Sequence, residues 1–489
     1  MRNRFEQQYS IGQRLIEDTP VKAKHKDKLE ELIAALKAIY CNPEYNQRLF
    51  GILERHLLEG KKKTGRKGMD LWCIFVLSQV RLCLNVSYDW IHNLANNHLA
   101  IRWLMGVETD YGFKRTEFNY QNIYDNVTLL DDKTVKEINE LVLDFGHREV
   151  FKKKETAALR LKTDSFVVES NVHFPTDCGL LWDCARKCID AVCFLMGKHK
   201  NLQGWRKIKS WKREMKGLLR ELGKATASGG KGKEQREAGA ARSYTDKAKA
   251  LYAKLEKGLP QLPIADNQDL ALVVSLEYFM QLLLKHIDLV ARRIINGEKI
   301  PHGEKMFSIF ETYTEWIKKG KSRPNVELGK KLSITTDQFD LIVDYRVMEH
   351  EQDRDIVIAL ADRLLAKYKI ESWSFDKGYW GKENKQLLQL EVPKVIMPKL
   401  GKRNKQEEAE ETGRPFRRLK NKHSAIESNI NELEHRGLDR CPDRGHPHFK
   451  NYIALGICAY NLKKIGAKLL EEEREKIKAQ GKIQLRKAA

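Results

Sequence analysis

Long apolar runs are missing from this sequence. None approaches the roughly 20 apolar residues that a membrane-crossing helix needs, so no membrane span is expected. None of the nine cysteines, at positions 41, 73, 83, 178, 184, 188, 193, 441 and 458, forms a CxxC pair, which removes the commonest zinc and redox spacings. Cys184, Cys188 and Cys193 fall near helical spacing and are expected to form a packed face rather than a metal site. The opening Met1-Arg-Asn-Arg-Phe-Glu6 is polar and unlike a secretory leader. The thiols are therefore expected to be reduced, in a cytoplasmic protein with access to DNA. Acidic charge is the minority sign: 67 Asp and Glu stand against 89 Lys and Arg, a net charge of +22. That excess favours a polyanionic partner, through counterion release and long-range steering. With 42% hydrophobic and 32% charged residues the chain should still fold. Its 489 residues exceed one compact core and point to two or three domains.

Charge and apolar residues are unevenly placed. Up to about residue 60 the pattern is helical, with Leu29, Leu32, Ile33, Leu36 and Ile39 on one face. A basic segment, Gly60 to Gly68, carries Arg66 and Lys67 and precedes an apolar helix from Met69 to Cys83. Ser87 is placed to cap a second helix beginning at Tyr88. Two helices on a tight turn after a basic arm fit either a DNA-reading helix-turn-helix or an ordinary helical hairpin. From about 158 the pattern turns to strands, at Arg160–Glu169 and Asn171–Phe174, with a helix capped by Asp177 after them. Between Lys198 and Lys233 twelve Lys or Arg face two Glu, with Trp205 and Trp211 among them. Strand signals return at Met306–Phe310, Lys331–Thr336 and Phe339–Met348, then near Asp376 and at Lys394–Met397. A helix over 355–365 lies among them, a charged loop is expected over Lys402–Arg418, and a last helix covers Tyr452–Leu469. Strands followed by alternating strand and helix predict an α/β core split by a long helical insertion.

Three acids in these elements suit one chemistry. Asp164 lies on a strand flanked by Phe166, Val167 and Val168, where a lone carboxylate would be costly. Asp376 ends a strand just before Gly378, so it would project from a sheet edge where ligands of open α/β sheets bind. Glu427 would share a helix face with His423 and Glu434, a face that by spacing alone reads more readily as a solvated acidic stripe than as a catalytic one. Asp344 and Glu169 are alternatives in strand-like runs. Carboxylates are hard ligands for Mg²⁺. Pairs of such ions stabilise the attacking and leaving oxygens of phosphodiester transfer.

The residues around these acids carry more. Leu161-Lys-Thr-Asp-Ser-Phe-Val-Val-Glu169, Phe375-Asp-Lys-Gly-Tyr-Trp380 and His423-Ser-Ala-Ile-Glu-Ser-Asn429 resemble, in order, the three catalytic blocks of bacterial insertion-sequence DDE transposases. Tyr452-Ile-Ala-Leu-Gly-Ile-Cys-Ala-Tyr-Asn-Leu462 is similar to their closing helix, and Gly65-Arg-Lys-Gly-Met69 with its helices to their N-terminal domain. His423 stands where the family commonly has a basic residue, and Glu434 where related branches often have Lys.

The resemblance implies an RNase H-like core within an α/β fold. Its expected organisation is a helical N-terminal DNA-binding domain (1–150), a core in two parts (151–196 and 301–470), a basic helical insertion (197–300) and a charged tail (471–489). It carries catalysis and metal binding onto Asp164, Asp376 and Glu427, with two Mg²⁺ ions that Mn²⁺ can replace. DNA contacts are expected at Arg66, Lys67, Lys207, Lys212, Arg213 and His423. The implied partners are double-stranded DNA, as element ends and target, and further copies of the chain in a dimer or larger synaptic complex. The implied location is the cytoplasm, at the bacterial nucleoid. The alternatives are an inactive or domesticated transposase that only binds DNA, and a metal-dependent nuclease or resolvase on the same fold.

Overall fold

The computed structural model describes residues 14–21, 28–60, 68–108, 115–318 and 325–488, with side chains to 480. Two compact units emerge: residues 1–171 with 317–489, and Val172–Trp316.

The centre of the first unit is a mixed sheet. Its strands are β1 (Leu159–Glu169), β2 (Glu315–Lys318, begun at the unit boundary), β3 (Val326–Thr336), β4 (Ile342–Val347), β5 (Ile370–Phe375) and β6 (Lys394–Ile396). The order is β2-β3-β1-β5-β6, with β4 also paired to β3. β1 runs antiparallel to β3, pairing Asp164 with Ile334, and parallel to β5, pairing Thr163 with Phe375. Two of the expected strands, Asn171–Phe174 and Met306–Phe310, are irregular chain instead. Neither finds a neighbouring strand in the sheet, and a short β-prone run without a partner has nothing to bond its backbone groups to.

Helices surround this sheet. Helix Leu71–Leu84 is apolar all round, and every residue from Leu71 to Cys83 is buried, as such a pattern requires. It serves as a core helix, with no free face left to cross a DNA backbone. Ser87 Oγ accepts from Trp90 N at 3.4 Å, capping helix Tyr88–Asn97, which buries only Ile91 and Ala95. The last helix, His446–Ala488, runs beyond the expected Tyr452–Leu469 at both ends and packs on helices Lys28–Cys41, Leu71–Leu84 and Asp132–Phe145. On it, buried Asn461 accepts from Ile342 N at 2.8 Å and donates to Ile342 O and Asn139 Oδ1 at 3.0 and 2.9 Å. It thereby satisfies the backbone at the start of β4. Lys402–Arg418, read as a loop, contains helices Lys405–Thr412 and Arg414–His423. Asn404 and Glu407 form a capping box for the first. Gly413 and Pro415, which looked like loop residues, mark the end of one helix and the first turn of the next.

The second unit is helical: Asp177–Lys198, Ile208–Ala227, Lys233–Gly258 and Asn267–Val290. Thr176, rather than Asp177, caps the first of these, its Oγ1 accepting from Gly179 N at 3.0 Å. Asp177 is instead buried and ion-paired with Arg293. Cys184 and Cys188 are buried in the core and Cys193 packs against it. Asn267–Ile295 is long and apolar enough, by length and composition, to cross a membrane. That corrects the expectation that no run approaches such a length; Glu277 and Lys285 interrupt the run in sequence without spoiling its average. Val273, Leu276, Met280, Leu283 and Ile287 on this helix lie in the unit's core.

Candidate active site

The sheet brings two of the three acids together by register alone. Side chains alternate along a strand, so Lys162 and Asp164 share one face of β1. Lys162 pairs with Ser374 and Thr163 with Phe375, so Asp376, one residue past the end of β5, stands beside Asp164 on that face. Adjacent strands lie about 4.8 Å apart. The opposite face holds Thr163, whose Oγ1 accepts from Trp373 Nε1 at 2.8 Å.

The third acid arrives on helices laid over the same face. Ser374 Oγ and His423 Nδ1 are hydrogen-bonded at 3.0 Å. Asn429 Nδ2 donates to Asp340 Oδ1 at 3.3 Å, and Lys162 Nζ donates to the same oxygen at 3.2 Å. These contacts seat helix Arg414–His423 and helix Ala425–Leu433, which bears Glu427 and buries Ile426, Asn429 and Leu433. The sequence placed His423, Glu427 and Glu434 on one helix. The chain in fact breaks at Ser424, and Glu434 opens a separate turn, Glu434–Leu438. Gly437 within that turn adopts φ +99°, a left-handed conformation glycine takes without strain.

Electrostatics ties the acids together. Asp164 is half-buried, and its carboxyl is pushed up to about 7. Burial is the main cause, and the negative charges of Asp376, Asp353 and Glu427 add to it, against a hydrogen bond from Ser165 N at 2.7 Å. Asp376 and Glu427 are exposed. Among the described residues no Lys, Arg or His forms an ion pair with any of the three acids, and no group of three or more His, Cys, Asp or Glu already stands as a set that could hold a metal ion. The acids are neighbours in charge, not a closed ligand cage. Asp344 differs: Arg363 clamps it through Nη2 at 2.8 Å and Nε at 3.3 Å, which removes it as an alternative ligand. Glu169, at the far end of β1, makes a backbone bridge with Arg440.

His423 carries no charge at neutral pH. Burial pushes it down to about 4, with Asp376 opposing and Lys162 assisting. Whatever it contributes there is hydrogen bonding to the end of β5, not a positive charge. Of the other expected DNA contacts, Arg66 and Lys67 lie outside the described residues. In the helical unit Lys207 and Arg213 are exposed, whereas Lys212 is half-buried and ion-paired with Asp190. Trp205 is buried, and Lys247 Nζ sits 4.0 Å from the Trp211 ring centroid. Both tryptophans pack against the unit's own helices.

Asp353 is the residue that sequence reasoning passed over. It accepts from Ser165 Oγ at 2.7 Å and from Lys331 Nζ at 2.9 Å. In the sequence it is one of three acids in Glu351-Gln-Asp-Arg-Asp355, at the start of an amphipathic helix. The structure separates them: Glu351 pairs with Arg346, Asp355 receives Gln352 N, and Asp353 reaches β1.

The carboxylates thus gather near the middle of β1 and just past the end of β5. Residues 295–462 match the family model described as Transposase DDE domain, so the chain carries the domain of a DDE transposase. The matched span includes Asp376 and Glu427 and stops short of Asp164. No curated protein and no solved structure matches the chain.

Proposed function

We propose that the chain is a DNA transposase that cuts at the ends of its element and joins the freed 3′-OH to target DNA, with Asp164, Asp376 and Glu427 as the metal-binding catalytic residues. One observation carries this reading: Asp164, with no basic partner among the described residues, is pushed up to about 7 by burial and by the charges of Asp376, Asp353 and Glu427. A buried carboxylate beside like charges, without a counter-ion of its own, is the environment a hard divalent cation relieves. Mg²⁺ fits the all-oxygen donor set, with Mn²⁺ able to substitute. When bound, such ions would neutralise charge on the phosphate and lower the pKa of water. Asp164 must give up its proton before it can act as a ligand. Ser374 and His423 hold the end of β5, and with it Asp376, against the helix pair that bears Glu427. The three antiparallel strands β1, β3 and β4, followed by helix-linked parallel strands β5 and β6, support an RNase H-like core.

The rest of the reading concerns DNA. Terminal inverted repeats would be bound by the N-terminal helical region, including the basic Arg66 and Lys67. The exposed Lys207 and Arg213 would follow the phosphate backbone. Two ends must meet, so a dimer or larger synaptic assembly is the working unit.

A second reading has one observation in its favour. No set of three donors is preformed among the described residues, as a chain that binds DNA without cutting it would have. The test is Mg²⁺-dependent nicking of an oligonucleotide carrying the element's end, with a second duplex present. Nicking followed by joining supports the transposase. Nicking without joining identifies a nuclease or resolvase, and binding without nicking identifies the inactive form. Matching inverted ends beside short direct duplications around the gene would support the transposase independently.

A further inference from the structure

We infer that Asp353 is a positioning residue that fixes the spacing between Asp164 and Asp376. The inference rests on the reading of those two acids given above.

Asp353 touches the chain immediately after each of them. Its Oδ1 accepts from Ser165 Oγ at 2.7 Å, one residue beyond Asp164. Its other oxygen, Oδ2, lies against Gly378, two residues beyond Asp376, so closely that a Cβ there would come within 2.8 Å. That oxygen also accepts from Lys331 Nζ at 2.9 Å, on β3. One carboxylate therefore brackets β1, β3 and the turn Lys377–Tyr379 that leaves β5. The turn is held a second time, because the hydroxyls of Tyr379 and Ser333 are hydrogen-bonded at 2.8 Å, and Ser333 is the register partner of Ser165. Ser165 points to the face of β1 opposite Asp164, so Asp353 acts from behind the sheet and need not enter the site.

A plain structural ion pair between Asp353 and Lys331 is the competing account. It predicts lower stability on substitution and unchanged cation binding. A positioning role predicts that cation binding itself suffers, because residues that orient ligands typically account for about 10–100-fold in metal affinity.

The experiment is calorimetric titration of the full chain with Mn²⁺ alone, with melting temperature measured in parallel. Asp353→Ala should weaken Mn²⁺ binding by about 10–100-fold. Asp353→Asn, which keeps an acceptor for Ser165, should weaken it less. Gly378→Ala, which pushes the turn off an intact Asp353, should reproduce the loss and covers the case in which Asp353→Ala does not fold. Wild-type Mn²⁺ affinity in the folded Asp353 and Gly378 variants would overturn the inference. Asp164→Asn separates the two levels. If it alone loses Mn²⁺, only the role of Asp353 falls; if it too binds as wild type, the assignment of Asp164 falls as well.

Discussion

Asp164 in the sheet unit and Asp269 in the helical unit are both withdrawn from water, and their surroundings are opposite. Asp269 is shut off from solvent. It accepts from Lys198 Nζ at 2.8 Å, from Ala265 N at 3.0 Å, and shares a 2.8 Å hydrogen bond with His199. Its carboxyl is pulled down to about 2, chiefly by Lys198 and against burial. Asp164 receives one backbone hydrogen bond and is pushed up to about 7, chiefly by burial, with the nearby charges of Asp376, Asp353 and Glu427 adding to it. A carboxylate serving the fold is surrounded by donors of the same chain. One whose donors are missing has the surroundings that the proposed metal-binding role of Asp164 calls for.

The contrast can be broken most sharply by activity. Asp164→Ala, Asp376→Asn or Glu427→Gln should each reduce Mg²⁺-dependent nicking by on the order of 10³-fold, since a bridging metal supplies several kcal/mol of transition-state stabilisation. Binding to the same DNA, followed by gel shift, should persist. Asp269→Asn should leave nicking intact. Joint loss of nicking and binding in Asp164→Ala would mean that Asp164 serves the fold, as Asp269 does.

Stability sharpens it further. Asn461 follows the rule of Asp269, with its amide groups fully employed. Asn461→Leu leaves Ile342 N, Ile342 O and Asn139 without partners, at about 1–3 kcal/mol for each buried group left unsatisfied. Denaturant unfolding should register that loss. In metal-free buffer at pH 8, Asp269→Asn should lower the melting temperature, whereas Asp164→Asn should raise it by removing a charge the site disfavours. Such a gain in stability with loss of function is the usual trade-off at active sites.

The pH dependences should have opposite signs. Asp269 is lowered from 3.8 to about 2, so the unfolded chain binds the proton more readily. Its stabilisation is present above about pH 4 and is lost as pH falls towards 2. Asp164 is raised from 3.8 to about 7, so the folded chain binds the proton more readily, and stability falls as pH rises from about 4 to 7. The melting-temperature difference between wild type and Asp164→Asn should therefore widen across that interval and level off above it. Cation binding should weaken below about pH 7 and release a proton. The smallest expected effect is in salt dependence: replacing exposed Lys207 or Arg213 by Gln should lower the log–log salt slope of DNA binding by about 0.9 per lost phosphate contact.

Much of the sheet was legible because β-branched and aromatic runs flank the acids, as in Phe166-Val-Val168 and Phe339-Asp-Leu-Ile-Val343. What was illegible depends on partners. Met306–Phe310 has the same local pattern and no strand beside it. In sequence, helix Leu71–Leu84 fits a DNA-reading pair as well as an ordinary helical hairpin, and its burial from Leu71 to Cys83 depends on neighbours that the local pattern does not name. In the site, Asp164 lies in the middle of one strand and Asp376 just past the end of another, and only the register of the two strands, which pairs Thr163 with Phe375, brings them near each other. Asp353 could not be told from Glu351 and Asp355, because its distinguishing contacts lie on β1, β3 and the turn after β5.

The most direct test of the account is anomalous diffraction from crystals of the chain grown with Mn²⁺ and end DNA. The account predicts a peak at about 2.0–2.3 Å from carboxylate oxygens of Asp164 and Asp376, with Glu427 completing the set. A Mn²⁺ peak held by other residues, with none on Asp164, Asp376 or Glu427, would contradict it.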